Sequence, residues 1–570
     1  MSSKLRKGRP FLGKMLVDKG LISAEQLDAA LVEQKKSGEF IGITLVKLGF
    51  LTDDQVLSAL SEQLGIEYVK INQTKIDPQI IKEVPAKFAC HYKLIPLKKE
   101  ANTLTLAVSD PLDIQTIDDL RLLLKVEVKP VLAAQKDILE AIRKYYGVGA
   151  DTIEMMVAEP SPLQALETFK VSVEDLEDLA EDATIIKFVN QILIQAVTDR
   201  ATDIHIEPFE DQLRIRYRID GILYDASVPA SIKYFHSAIV SRIKVMANLD
   251  IAERRLPQDG RILVKLVERD LDLRVSILPT PYGESVDIRI LIPGMLFSLE
   301  DLGLLERDLK ILESLIKIPH GIIFVTGPTG SGKTTTLYSC LTKINDAKKK
   351  IITIEDPIEY QIKGVTQIQI QPKINLTFAQ GLRSMLRHDP DIMMVGEVRD
   401  RETADITIRV ALTGHLVFST VHTNDAAGGV ARLLDIGIEP YLVASSVECF
   451  IAQRLVRLIC PQCKHEVSLK KEVLQELQAQ EAEDLAGLKF YEGKGCEFCK
   501  FTGYRGRTGI YEFLLLSEHI RDLVIRRVST SEIKRVAVSE GMHTLRQDGW
   551  EKVKAGLTTP SEVIRVTQQE

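Results

Sequence analysis

The stretch GIIFVTGPTGSGKTTTLYSCLTKI, residues 321–344, decides how this chain folds. Ile322-Ile323-Phe324-Val325 is a short apolar run and reads as a buried strand. Gly327-Pro328-Thr329-Gly330-Ser331-Gly332-Lys333-Thr334 follows as a complete G-x4-G-K-T loop, and residues 335–341 continue in helix-compatible residues. Strand, glycine-rich turn and helix in this order make a phosphate cradle. Loop N–H groups and the positive end of the helix face the β- and γ-phosphates of a nucleotide. Lys333 adds a compact cation, the Thr334 hydroxyl is expected to ligate Mg2+, and the nucleotide contacts extend to Thr335.

Around this loop the chain has room for three or four domains, at 570 residues. Hydrophobic residues make up 45% and charged residues 27%, the profile of a globular protein. The net charge of −7 counts against a nucleic-acid partner. No apolar run approaches the length of a membrane span, and the basic opening MSSKLRKGRP lacks an apolar signal core. The expected location is the cytosol, where ATP is, with membrane contact only through partners.

An internal repeat opens the chain. Residues 11–34 match residues 40–63 at an offset of 29, with ten of 24 positions identical. Each unit reads as helix, glycine-marked turn and second helix, the latter capped by Ser23 or Thr52 in capping-box spacing with Gln26 or Gln55. Two copies are too few for a solenoid; a paired helical module over 1–72 is expected. Residues 73–148 read as a small α/β unit, with strands at 104–108 and 126–128 and a closing helix at 138–146. Residues 149–182 hold ten acidic residues against one lysine and read as a flexible linker. A second α/β domain spans 183–292. Its alternating strands carry Arg214, Arg216, Arg218, Arg274 and Arg289, a guanidinium row suited to phosphate oxygens or to an ordinary solvated sheet face. Residues 293–570 form the nucleotide domain.

Three further segments belong with the phosphate loop. Strand 351–354 ends in Glu355-Asp356-Pro357-Ile358-Glu359, strand 391–395 leads to Glu397, and strand 416–421 is flanked by His415 and His422. In an open parallel sheet ligands bind outside the carboxyl ends of the strands. Phosphoryl transfer to water needs a positioned water and charge neutralisation rather than covalent chemistry. Glu397 and one of Glu355 and Glu359 are the candidate carboxylates, with His422 sensing the γ-phosphate or hydrogen-bonding an acid.

Cys460-Pro461-Gln462-Cys463 and Cys496-Glu497-Phe498-Cys499 form C-x2-C-x32-C-x2-C. Four thiolates at this spacing close a structural Zn2+ site. Cys90, Cys340 and Cys449 read as core. Lys500, Arg505 and Arg507 after the second knuckle mark a docking surface or a soluble edge.

Together these residues resemble the type II secretion / type IV pilus assembly ATPase family. The likeness covers about 1–570 and is densest from Thr202 to Glu512. It rests on the phosphate loop, ITIEDPIEY (352–360, the Asp box), DPDIMMVGEVRD (389–400, the Walker B element), TGHLVFSTVHT (413–423, the His box) and the tetracysteine knuckles, with TDIHIEP (202–208), RRLPQDGR (254–261) and GYRGRTGIYE (503–512) beside them. The resemblance implies an α/β multidomain fold: a RecA-like P-loop ATPase domain preceded by a smaller PAS-like α/β domain and a helical plus α/β N-terminal region. The nucleotide domain carries the tetracysteine insert at 457–508 and a C-terminal helical region at 509–570.

It further implies a homohexameric ring hydrolysing ATP with Mg2+ between the 183–292 and RecA-like domains, with Glu359 the catalytic glutamate, Glu397 the Walker B glutamate, and Arg274 and Arg289 reaching the γ-phosphate. The implied partners are an inner-membrane platform protein, the cytoplasmic domain of an assembly protein and, indirectly, pilin or pseudopilin machinery. The tetracysteine module sets the chain with extension and secretion motors rather than retraction motors. QPKINLTFAQGLR (371–383) leans toward type II secretion, with type IV pilus extension the near alternative. A nucleic-acid translocase and a nucleotide-sensing regulatory protein are rivals from other classes. The helical repeat resembles a cyclic-di-GMP-binding module. Its starts read Phe11-Leu12-Gly13 and Phe40-Ile41-Gly42, without the arginine of the family pattern, although Arg9 is nearby and Gln34 and Gln63 remain. The module's fold is expected; dinucleotide binding and docking to the assembly protein both stay open.

Overall fold

A computed structural model describes residues 12–37, 40–74, 76–110, 114–147, 149–150, 152, 183–266, 269–291, 297–468 and 489–567. Arg9, Phe11 and most of the acidic linker, 153–182, lie outside the described residues. The chain divides into two compact units, Met1–Ile290 and Leu291–Glu570.

The first unit opens with helices Leu12–Asp18, Ala24–Ser37, Ile41–Lys47 and Asp53–Leu64. The duplicated sequence builds a duplicated core: Leu16 and Leu45, Ile22 and Leu51, Ala30 and Ala59 are buried pairs at the repeat offset. Gly13 and Gly42 let the helices cross closely. A Cβ on either would come within 2.6 Å of Leu27 or 2.7 Å of Val56, again equivalent positions. Thr52 and Gln55 form the full capping box, and Ser23 and Gln26 make the same two bonds.

Next come β1 (Leu94–Glu100), β2 (Thr103–Val108) and β3 (Glu127–Leu132), in that sheet order. β1 pairs antiparallel and β3 parallel with β2. Helix Gln135–Tyr146 puts Ile138, Ala141 and Ile142 into their core.

Helix Ala183–Thr198 leads to β4 (Ala201–Pro208), β5 (Leu213–Ile219), β6 (Ile222–Asp225), β7 (Gln258–Leu266), β8 (Arg269–Thr280) and β9 (Gly283–Leu291). The sheet order is β6-β5-β4-β9-β8-β7. Alternation on β5 buries Leu213, Ile215 and Tyr217 and turns Arg214, Arg216 and Arg218 to the other face. There the guanidiniums meet carboxylates of neighbouring strands. Arg216 forks onto Glu207 at 2.8 and 2.7 Å, Arg214 onto Asp225, and Arg289 donates its Nε to Asp203 at 3.0 Å. Arg218 lies 3.6 Å from the other Asp203 oxygen. Four of the five arginines thus form a ladder of cross-strand ion pairs, and Arg274 on β8 lies opposite Arg261.

The second unit is built on β10 (Gly321–Thr326), β11 (Ile351–Glu355), β12 (Thr366–Gln369), β13 (Ile392–Val395), β14 (Leu416–Val421), β15 (Val447–Ile459) and β18 (Tyr504–Leu515). Their order is β12-β11-β13-β14-β10-β15-β18. Pairs from β12 to β15 are parallel and β18 is antiparallel to β15. β10, β11, β13 and β14 are buried along their whole length, which is why they read as continuous apolar runs. A small hairpin, β16 (Lys464–Val467) and β17 (Phe490–Gly493), stands between β15 and β18. Helix Leu545–Lys554 buries Trp550, the chain's one tryptophan, at 4% exposure in the core shared by β15 and β18.

Candidate active site

β10 delivers the phosphate loop from the middle of the sheet. Gly327 sits at φ +153°, and a Cβ there would come within 2.6 Å of the Gln453 carbonyl on β15. Gly332, at φ +91°, caps helix Lys333–Ile344. Only glycine fits such close, left-handed turns. The helix points its N-terminus at the loop, with Thr334 and Thr335 half-exposed in its first turn. Lys333 folds back on the loop, donating to the carbonyls of Gly327 at 2.9 Å and Pro328 at 3.0 Å. Burial, with the Arg454 guanidinium nearby, pushes its ammonium down to about 8. The Ser331 hydroxyl is buried, with no hydrogen-bond partner among the described residues. A desolvated cation and an unsatisfied donor aimed into a turn are what a polyphosphate would relieve, so the residues fit a nucleotide with its Mg2+.

The neighbouring strands bring acids to the same edge. Glu355, the last residue of β11, accepts from the Tyr338 hydroxyl, from Thr353 Oγ1 at 2.5 Å and from Gln367 Nε2 at 3.1 Å. Burial raises its carboxyl. Its lone pairs are committed to side chains that hold the strand end in place. Glu359 follows the cis Asp356-Pro357 bond, half-buried, with its N–H 3.3 Å from the same Tyr338 oxygen. Between the two acids left open by spacing, Glu359 is the one whose carboxylate is not taken into that buried triad of donors.

Glu397 lies two residues beyond β13, 9% exposed, with Arg399 Nε at 2.6 Å and His422 Nε2 at 3.5 Å from its Oε2. Thr420 Oγ1 donates to the Gly396 carbonyl at 2.7 Å and Ser419 Oγ to Val395 at 2.8 Å, which pins this turn to β14. His422 and Glu397 are therefore brought together. His415, at the opposite end of β14, contacts the Val410 carbonyl and Thr413 and has no place at this edge. Gly327, Pro328, His422, Thr423 and Asn424 line a cavity of about 220 Å³ over the loop. Arg274 and Arg289 belong to the first unit. Arg274 is half-buried on β8 opposite Arg261, and Arg289 is on β9, held by Asp203.

Spacing did not point to Gln453, Arg454 or Arg399. Gln453 accepts from Thr336 Oγ1 at 2.8 Å, beneath the loop. No motif marks it, because its partner lies more than a hundred residues earlier in the chain.

The four knuckle cysteines converge at the end of the β15/β18 pair. Their sulfurs lie within 4.8 Å of one another, with Cys460–Cys496 at 3.7 Å and Cys463–Cys499 at 3.8 Å. Burial works against ionisation of Cys499, yet the Cys496 and Gly503 N–H groups, at 3.2 and 3.3 Å from its Sγ, hold it down to about 7. Four sulfurs with backbone donors, joined by no further ligand side chain among the described residues, suit a closed tetrahedral metal site. Cys340 and Cys449 are buried in the core and Cys90 is half-buried. Arg505 stacks on the Phe498 ring beside the second knuckle.

Known proteins bear on this geometry. The sequence family described as Type II/IV secretion system protein matches residues 178–565, and an MshEN domain matches 64–152, the region of β1–β3. The type IV pilus assembly ATPase PilB of Myxococcus xanthus (strain DK1622) is 42% identical over 558 residues, spanning 97% of this chain and 98% of the relative. Type II secretion system protein E of Dickeya dadantii (strain 3937) is 47% identical over 441 residues, 77% of this chain and 85% of the relative. Among solved structures, the Legionella pneumophila ATPase DotB matches with a TM-score of 0.50 at 21% identity, over 67% of this chain and 95% of that one, a likeness of fold.

Proposed function

This chain belongs to the Type II/IV secretion system protein family and is an ATPase of the secretion and pilus-assembly kind, and from that premise we propose that it works as a homohexameric motor in the cytoplasm, peripheral to the inner membrane. ATP hydrolysis there energises assembly of a pseudopilus in type II secretion, through a membrane platform protein and the cytoplasmic domain of an assembly protein. Type IV pilus extension is the second reading. It is supported by the Myxococcus xanthus PilB likeness over 97% of the chain, against 89% for a type II secretion system protein E of Xanthomonas campestris pv. campestris.

One observation carries the reading. The phosphate loop with its desolvated Lys333 and the Glu397–His422 pair stand at the same edge of the parallel strands β10, β13 and β14. In the proposed mechanism Lys333 leaves the loop carbonyls for the β- and γ-phosphate oxygens. Thr334 would hold Mg2+, which would supply charge neutralisation. Glu397 orients the attacking water, with His422 fixing the carboxylate. The resemblance alone gives Glu359 its role as the second acid and Arg274 and Arg289 theirs toward the γ-phosphate. Phosphoryl transfer needs no more than this positioning and charge. Cys460, Cys463, Cys496 and Cys499 would hold Zn2+ as a structural ion. Residues 1–72 are the candidate cyclic-di-GMP sensor or, failing that, a docking arm.

The test is steady-state hydrolysis by the purified full chain, with and without cyclic-di-GMP, beside its mass in solution. Mg2+-dependent turnover by an assembled ring is expected. No turnover, even with the platform's cytoplasmic domain added, would overturn the motor reading in favour of a regulatory protein.

A further inference from the structure

Arg454 stands out among the charges of the second unit. It lies on β15 with 9% exposure, and among the described residues no carboxylate pairs with it. The two acids whose charge reaches it, Asp425 and Glu512, make their direct contacts elsewhere. Asp425 accepts the Gly428 N–H at 2.8 Å and faces Lys534 at 3.7 Å. Glu512 accepts the N–H groups of Ala426 and Leu545 and faces the same lysine. A buried cation without a counter-ion is costly unless its position serves something, and burial indeed pulls the Arg454 guanidinium downward.

Its donors go to two backbone carbonyls. One terminal nitrogen reaches the Gln453 oxygen at 3.1 Å, the atom that floors Gly327, and the other reaches the Asn424 oxygen at 2.6 Å. Asn424 lies two residues after His422. On its other side this segment is held by Thr326, whose hydroxyl donates to the Thr423 carbonyl at 3.1 Å. The planar fork of an arginine spans the two carbonyls; a lysine ammonium at the end of a flexible stem cannot hold both in fixed geometry.

We propose that Arg454 is a positioning residue for the hydrolysis assigned above, bridging the floor of the phosphate loop to the Asn424 carbonyl so that His422 stays on Glu397. The inference rests on the ATPase reading of that site. It also leaves a fixed cation near Lys333, whose ammonium it disfavours.

The test compares the full-length wild type with Arg454→Lys and Arg454→Gln. Arg454→Lys keeps the charge and loses the bridge. Its kcat should fall about tenfold while ATP affinity changes less than about threefold. Combined with His422→Gln, the losses should not multiply, because both changes break one junction. Amide exchange across 422–428, measured without nucleotide, should be faster in both variants. Wild-type kcat in Arg454→Lys, multiplied losses in the double variant, or unchanged exchange in both variants would each overturn the inference. If Arg454→Lys does not fold, Arg454→Gln carries the same readings. If the wild type itself fails to hydrolyse ATP with Mg2+, the proposed function falls, and the exchange measurement alone decides the bridge.

Discussion

Lys333 shows most directly how this site is prepared for its ligand. Its ordinary pKa of 10.5 is pushed down to about 8 by burial and by Arg454, so the free protein holds the ammonium less firmly than water would. Phosphate oxygens favour the charged form and raise the value again. Near neutral pH the group is already protonated and binding moves no proton. At about pH 9 most of it is neutral, so ATP binding must draw in a proton, and affinity weakens as pH rises through 8. Calorimetry in buffers of different ionisation enthalpy should register that uptake, and Lys333→Ala should abolish it along with turnover. The acids divide in the same way. Glu397→Gln and Glu359→Gln should each lower kcat by about a hundredfold or more with ATP binding retained. Glu355→Gln should cost thermal stability and leave kcat within about threefold, since Glu355 serves Tyr338, Thr353 and Gln367. Steady-state rates of the three variants, read beside their melting temperatures, check this ordering. Sequence spacing put Glu355 and Glu359 at one strand end and did not separate them. The separation comes from Tyr338, on a helix of another part of the chain.

At the scale of the element, β15 and β18 carry the most. Their antiparallel pairing places Gln453 opposite Tyr511 and Ala452 opposite Glu512, and the cysteine knuckles close its far end. Cys460→Ser should lose the proposed zinc and lower the melting temperature by several degrees. Metal analysis beside a melting curve tests both, and a metal-free wild type would remove the ion from the account. On the same strand Arg457 meets Glu562 of the C-terminal helix Pro560–Val566 at 2.6 Å, and Arg565 adds a second guanidinium. Burial works against the Glu562 carboxylate, but the two arginines hold it down to about 2 from an ordinary 4.5. The stability it contributes is present above about pH 4.5 and is lost as pH falls toward 2. Glu562→Gln should therefore cost about 3 kcal/mol at neutral pH and flatten the acid limb of a denaturation profile. The parallel strands were legible in sequence because burial on both faces leaves uninterrupted apolar runs, and the helical repeat because its core pairs recur at one offset. The ion-pair ladder on β4, β5, β6 and β9 was not legible as such. Alternation exposes the arginines as a row, whereas their partners depend on a register that no single strand encodes.

At the scale of the whole molecule, the proposed ring makes activity depend on assembly. Specific ATPase activity should rise with protein concentration as the ring forms, and light scattering on the same samples should place the rise at the appearance of the hexamer. A flat specific activity from a monomer would count against a ring mechanism. The division into two units also has an optical consequence. Trp550 is the chain's one indole, and it is packed in the core shared by β15 and β18. Emission excited selectively at the red edge of the absorption band thus comes from the ATPase unit alone, while residues 1–290 stay dark. A fluorescence melt set against far-ultraviolet dichroism, which sees every helix and strand, separates the two unfolding events in a single unlabelled sample.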